Sequence, residues 1–327
     1  MKIRQAVVVS ILILLGIAGA GAVLALYTEV SVRASSPSLS DALSNIPSDY
    51  QFVFGMNVKR FVQSPAYTKV QQGKQIGSDL AVFTEKTGVD PARDISFLVG
   101  AGHAKEGTGG QGVVIVAGTF NKDAITSYIR SKSGSVGKDY NGKTVIMIPD
   151  PKTDAVQKGI AFLNDQEIAL GDLESLKATV DNGGEESKSI LSSATISPLI
   201  PSISADDMFW FLGDAAGVLS NAPAATLLGT SIPSIKNIVG TLNFGAAVIT
   251  GKVTATALNP DAAQKLADML KGLIAIGQLT GAQRPELKAL LGGLAVSYTP
   301  ASTQVSVELN FPADMLEKFG QSRQLGR

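Results

Sequence analysis

Hydrophobic and polar positions divide the chain into one long uncharged run and, beyond a polar stretch, a series of short strand-like and helix-like segments. Residues 6–27 (AVVVSILILLGIAGAGAVLALY) contain no charged side chain. A helix rises about 1.5 Å per residue, so this run is long enough to cross a hydrocarbon core of about 30 Å. Lys2 and Arg4 precede it and Tyr27 closes it. That pattern predicts a transmembrane signal anchor over residues 1–30 in the inner membrane, N-terminus cytoplasmic and residues 28–327 outside. The competing reading is a secretory signal peptide cleaved near Ala22. Residues 31–48 are rich in serine and read as a stalk.

Beyond the stalk, segments recur in order. Residues 43–67 and 200–224 align without a gap, with Ile46, Asp49, Phe52 and Phe54 falling on Ile203, Asp206, Phe209 and Phe211. Each stretch reads as a strand, then Asn57 or Asp214 as an N-cap, then a short amphipathic helix. Residues 113–129 and 252–267 again read strand, asparagine cap, helix, with Asn121-Lys122-Asp123-Ala124 matching Asn259-Pro260-Asp261-Ala262. Such caps accept from the exposed amides of the first helical turn, and an early Pro or Asp suits that turn. A third pair is a hairpin followed by a helix, in 159–177 with its turn at Asn164-Asp165 and in 293–318 with its turn near Pro300.

These elements predict an α+β fold. A transmembrane helix is followed by two tandem repeats of a mostly antiparallel sheet with helices packed on one face. The predicted divisions are repeats at 49–187 and 204–320, a junction at 188–203 and a flexible tail at 321–327. Within them, residues 138–148 suggest a hairpin through Asn141-Gly142. Residues 261–279 suggest a long helix whose core face carries Leu266, Met269, Leu270, Leu273 and Ile276 or Gly277.

Composition narrows the chemistry. The 327 residues are 45% hydrophobic and 17% charged, enough apolar material for packed cores. Lysine plus arginine equals aspartate plus glutamate at 28 each, so no basic excess points to nucleic acid. The chain has no cysteine, which removes disulfides, thiolate metal sites and a lipid-accepting cysteine together. His103 is the single histidine, a poor basis for a zinc site or a Ser-His-Asp triad. It lies at the end of an apolar run and reads as a strand-end residue. Residues 107–112 (GTGGQG) spell a dinucleotide-loop pattern but precede a strand instead of a helix, so they read as a connection. No phosphate-binding P-loop pattern occurs. These readings give no catalytic residue, metal, nucleotide or other cofactor.

The segment 208–212 (MFWFL) is apolar on both faces and includes the single tryptophan. It reads as a strand covered on both sides, or as the wall of a cavity for an apolar ligand. On the second reading the ligand-binding residues are Trp210, Phe209 and Phe211, with Phe52 and Phe54 as their counterparts. The phrases IPSDYQFVFGMNVKRF and DDMFWFLGDAAGVL, behind an apolar N-terminal run and a Ser/Pro stretch, resemble a group of exported bacterial proteins classed as a domain of unknown function. The resemblance implies an envelope location and carries no activity.

The expectation is therefore a membrane-tethered envelope protein that binds or scaffolds, contacting the membrane through residues 6–27 and an envelope protein or a lipid through its exported part. The alternatives are a lipid-binding protein with a groove near Trp210, and an exported hydrolase built from dispersed carboxylate, Ser or Lys groups.

Overall fold

The computed structural model describes residues 37–71, 82–103, 111–133, 136–149, 156–215, 235–280 and 285–314. Of these, the residues up to Met208 form one compact unit and those from Phe209 onward form another.

The first unit opens with α1 (Leu39–Ser44), whose N-cap Ser38 and Asp41 form a reciprocal capping box. Strand β1 (Phe52–Asn57) leads into α2 (Val58–Val62), where the Asn57 side chain accepts from the Arg60 amide at 2.9 Å. Strands β2 (Ile95–Gly102) and β3 (Gly112–Gly118) continue an antiparallel meander. Helix α3 (Lys122–Ser133) then carries the chain away to β4 (Val136–Tyr140). The chain returns through β5 (Lys143–Pro149), β6 (Val156–Phe162) and β7 (Glu167–Asp172), which pairs with β3. The order is β1-β2-β3-β7-β6-β5-β4. Asn141 and Gly142, at φ of 50° and 74°, make the two-residue turn joining β4 to β5, where positive φ matches the strand twist. Asp172 then caps α4 (Leu173–Asn182), which packs on β6 and β7.

The second unit repeats that order without a counterpart of β4 and β5. Strands β8 (Phe209–Asp214), β9 (Ile235–Phe244) and β10 (Val248–Ala257) form a meander. Helix α5 (Pro260–Thr280) follows, then α6 (Pro285–Gly292), then the hairpin of β11 (Leu294–Tyr298) and β12 (Gln304–Pro312). The second strand of that hairpin pairs with β10, as β7 pairs with β3, giving β11-β12-β10-β9-β8. Asparagine caps start the crossing helix in each unit. Asn121 accepts from Ala124 at 3.0 Å, and Asn259 accepts from Ala262 at 2.8 Å. Ala263, Leu266 and Ala267 of α5 pack against Ala257 and Val305 of the sheet, and the same face continues to buried Gly277 while Ile276 is exposed.

Two expectations are corrected. The architecture is an antiparallel β one with few helices, not α+β. Twelve strands among the described residues carry it, because consecutive strands are mostly joined by hairpins that add ladder after ladder. The transmembrane helix and signal anchor do not belong to it. No helix among the described residues is long and apolar enough to cross a membrane, and residues 6–27 lie outside them.

The stretch 188–203, read as a junction, packs within the first unit. Ile190 and Ile196 are wholly buried there, the Ile190 amide donates to the Ile46 carbonyl at 2.7 Å, and the Ser48 amide donates to the Lys188 carbonyl at 3.0 Å.

Candidate functional site

Burial decides how the aromatic residues singled out in the sequence are used. Trp210 is 3% exposed and Phe209 8%, and the Phe209 ring meets Phe244 edge-on at 5.7 Å. Phe211, Phe52 and Phe54 are half-buried. Phe52 and Phe54 lie on the first unit's β1 with their rings 6.5 Å apart and nearly parallel. Their rings lie over Gly102 and Gly100 of β2, and that of Phe211 lies over Gly240 of β9. Within each unit, then, these side chains pack against strand neighbours. The indole Nε1 of Trp210 has no hydrogen-bond partner among the described residues.

His103 follows β2 and is pinned by its amide, which donates to the Gln111 carbonyl at 3.0 Å. Its ring stacks at a tilt on Tyr50, centroids 4.8 Å apart, and its Nε2 lies 3.6 Å from Asp49 Oδ2. Burial pushes the Tyr50 hydroxyl up to about 12. Of residues 107–112, read as a connection, Gly112 already belongs to β3, and 107–110 lie outside the described residues.

The polar site that the first unit does build surrounds Glu167. This carboxylate begins β7, directly after the turn at Asn164, and is 4% exposed. Two side-chain amides converge on one of its oxygens. Asn45, just beyond α1, donates to Oε2 at 2.8 Å, and Asn164 donates to the same atom at 2.7 Å. The other oxygen, Oε1, has no partner among the described residues. Burial holds the carboxyl above the usual range, opposed by the Asn164 and Asn45 donors and reinforced by the charge of Asp41.

Glu167 lines a cleft of about 450 Å³ enclosed by α1, the β6–β7 turn, the start of β5 and the end of α4. Lys143 at the start of β5 reaches into this lining, its Nζ donating to the Leu163 carbonyl at 2.6 Å. From α4 comes Thr179, 1% exposed, whose Oγ1 is also without a partner among the described residues. The helix ends on Gly183 and Gly184 at φ of 64° and 78°, a left-handed stop that turns the chain along the cleft. Pro37, Leu163 and Val180 add apolar surface.

A buried carboxyl of raised pKa, in a lining that also includes the Lys143 ammonium and the Thr179 hydroxyl, can hold and orient a polar ligand or exchange a proton with one. Among the described residues no group of three or more His, Cys, Asp or Glu side chains could hold a metal ion. None of the sequence-selected aromatic residues lines this cleft. One signal in the sequence points to it. Glu167 is the last of the four polar residues Asn164 to Glu167, directly before the apolar Ile168-Ala169-Leu170, where a charged residue entering a strand calls for partners.

The chain matches no family model and no curated protein. Crystal forms of TP0453 are similar to it in fold. Form III has a TM-score of 0.50 at 8% identity, covering 88% of this chain and 98% of that one. Form IV has 0.49 at 9%, covering 87% and 96%, and form I has 0.48 at 8%, covering 86% and 96%. At such identity the form III likeness speaks to fold alone.

Proposed function

We propose that this protein is a non-catalytic binding protein of the bacterial envelope, and that it holds a small ligand in the Glu167 cleft. The observation that carries this reading is the buried carboxyl itself. Asn45 from the end of α1 and Asn164 from the β6–β7 turn both donate to one of its oxygens. The other oxygen and Oγ1 of the neighbouring lining residue Thr179 are buried without partners among the described residues, and the residues around them line a cleft of about 450 Å³. Buried polar atoms are usually satisfied, so a carboxyl and a hydroxyl that are not, in residues lining a cleft, support a site whose occupant completes the set. The basic start and uncharged run at the N-terminus support export, as does the resemblance to exported bacterial proteins.

A fragment screen read by amide NMR on the full-length chain tests this. Hits should shift the backbone signals of Asn45, Asn164, Glu167 and Gly184 as a group. A screen whose shifts fall elsewhere, or nowhere, sinks the reading.

A further inference from the structure

We infer that Asn141 is a site of spontaneous deamidation, restrained by the fold, whose conversion releases the β4–β5 hairpin from α4. The chemistry comes from two neighbours in the chain. In an Asn-Gly pair the glycine amide nitrogen can attack the asparagine side-chain carbonyl, because glycine has no Cβ to crowd the approach. A bond forms between Gly142 N and Asn141 Cγ, and the Cγ–Nδ2 bond breaks. Ammonia leaves, carrying the proton that the glycine amide gives up. Water then opens the cyclic imide at either carbonyl and leaves aspartate or isoaspartate at position 141. The net change is one water consumed, one ammonia released and an amide replaced by a carboxylate.

The chain has two Asn-Gly pairs, at 141–142 and 182–183, and the fold treats them differently. Asn182 is 4% exposed, its Nδ2 donates to the Ser44 carbonyl at 2.7 Å, and the Gly183 amide donates to the Thr179 carbonyl. Asn141 and Gly142 are exposed, so water reaches them. Each is nevertheless tied to a carboxylate. Asn141 Nδ2 donates to Asp181 Oδ1 at 2.7 Å, and the Gly142 amide donates to Asp139 Oδ1 at 3.2 Å. Ring closure requires both groups to leave these acceptors and turn towards each other. The Asp181 tie crosses to α4, where Oδ2 of the same carboxylate accepts from the Tyr140 hydroxyl at 2.9 Å. Together the two bonds dock the hairpin turn on the helix.

Reaction removes the tie that restrained it. A carboxylate at 141 has no N–H to offer Asp181 Oδ1, and it sets a second negative charge against the first. Of the two docking bonds, that of Tyr140 is left. Lys143, directly after the turn, and Val180, beside Asp181, both line the Glu167 cleft. The conversion therefore loosens the cleft wall between β5 and α4, whether or not a ligand is present.

The test incubates the full-length chain in warm, mildly alkaline buffer, where the glycine amide gives up its proton more readily, and then digests it with trypsin. Cleavage after Lys138 and Lys143 leaves Asn141 as the one side-chain amide of its peptide. Mass spectrometry reads the amide-to-acid change, and chromatography separates aspartate from isoaspartate. Asn141 should convert about threefold to tenfold more slowly in the folded chain than in urea, the factor that one hydrogen bond of ordinary net strength supplies. Asp181→Ala should recover most of that gap. Tyr140→Phe, which keeps the Asn141 tie, should recover less, and Asn182 should convert more slowly than Asn141. Equal rates in wild type and Asp181→Ala, equal rates in folded and unfolded wild type, a Tyr140→Phe rate matching that of Asp181→Ala, or faster conversion at Asn182 would overturn the inference. Asn141→Asp represents the aspartate product. Hydrogen–deuterium exchange over residues 136–149 should quicken in it by about threefold or more, and unchanged exchange would overturn the release.

Discussion

The phenyl ring of Phe54 lies over Gly100, its register partner on the neighbouring strand, so closely that a Cβ at Gly100 would meet the ring at 2.2 Å. The same relationship recurs in the second unit. Phe211 covers its partner Gly240, where a Cβ would meet the ring at 2.1 Å. An aromatic ring laid across a glycine restores the cross-strand packing that glycine lacks, and the glycine in turn makes room for the ring.

Replacing either glycine with alanine should therefore destabilise the protein by about 1–3 kcal/mol, the usual range for overpacking. The pairs should also be coupled. Gly100→Ala combined with Phe54→Ala should cost less than the sum of the single changes, since the second removes the clash created by the first. Urea unfolding of the two single variants and the double variant measures this, and strict additivity would contradict the packing described. Gly272→Ala on α5 is the control. It meets nothing within 4 Å and should stabilise the helix by about 0.5–1 kcal/mol.

The asparagine caps give a second set of expectations. Asn121→Ala and Asn259→Ala each remove one side-chain acceptor from a first helical turn and should cost about 1 kcal/mol. Asn57→Ala should cost more, about 2 kcal/mol. Its Oδ1 caps α2 while its Nδ2 donates to the Ala205 carbonyl at 2.6 Å, so it also secures the segment ahead of β8. Thermal melts of the three variants should rank Asn57→Ala lowest.

The contrast between these caps and the Glu167 site shows what a sequence makes legible. Asn121, Asn259 and the Asn141-Gly142 turn act on residues within three or four positions, so local pattern is sufficient to find them. Of the two partners of Glu167, Asn164 is local, but Asn45 lies 122 residues away, and only the assembled fold brings it and the lining residues Lys143 and Thr179 to the same cleft. Phe54 is visible as a bulky strand residue, but Gly100 beneath it is not, because register is a long-range property. The weight of sheet over helix escapes for the same reason. Each hairpin can be read locally, whereas the pairing of β7 with β3 and of β12 with β10 cannot.

Asn45 tests how Glu167 is held. Asn45→Ala removes one of two donors on Oε2 and leaves a buried carboxyl less satisfied, with an expected loss of about 1–3 kcal/mol. Losing that donor should also raise the Glu167 pKa further, since hydrogen bonds to the ionised form are what oppose burial. Carbon-detected titration of the Glu167 carboxyl in the wild type and the variant reads this directly. A midpoint that stays put or falls would show that Asn45 does not set the ionisation.

Asp94 should make stability fall as pH rises through the mildly acidic range. Its side chain is fully buried at the start of β2, and burial raises its carboxyl from 3.8 to about 6, with the Asp90 amide at 2.8 Å and Arg93 acting in the opposite direction. Because the folded value lies above the ordinary one, the folded chain holds this proton more tightly than the unfolded chain does. The resulting stabilisation is complete below 3.8 and is lost as pH climbs to about 6. An asparagine side chain at this position cannot ionise and keeps an acceptor for the Asp90 amide. Asp94→Asn should therefore gain on the wild type between about pH 4 and pH 7, by an amount on the order of 1 kcal/mol. Urea midpoints of both proteins across that range measure the difference, and a gap that stays constant with pH would place the proton elsewhere.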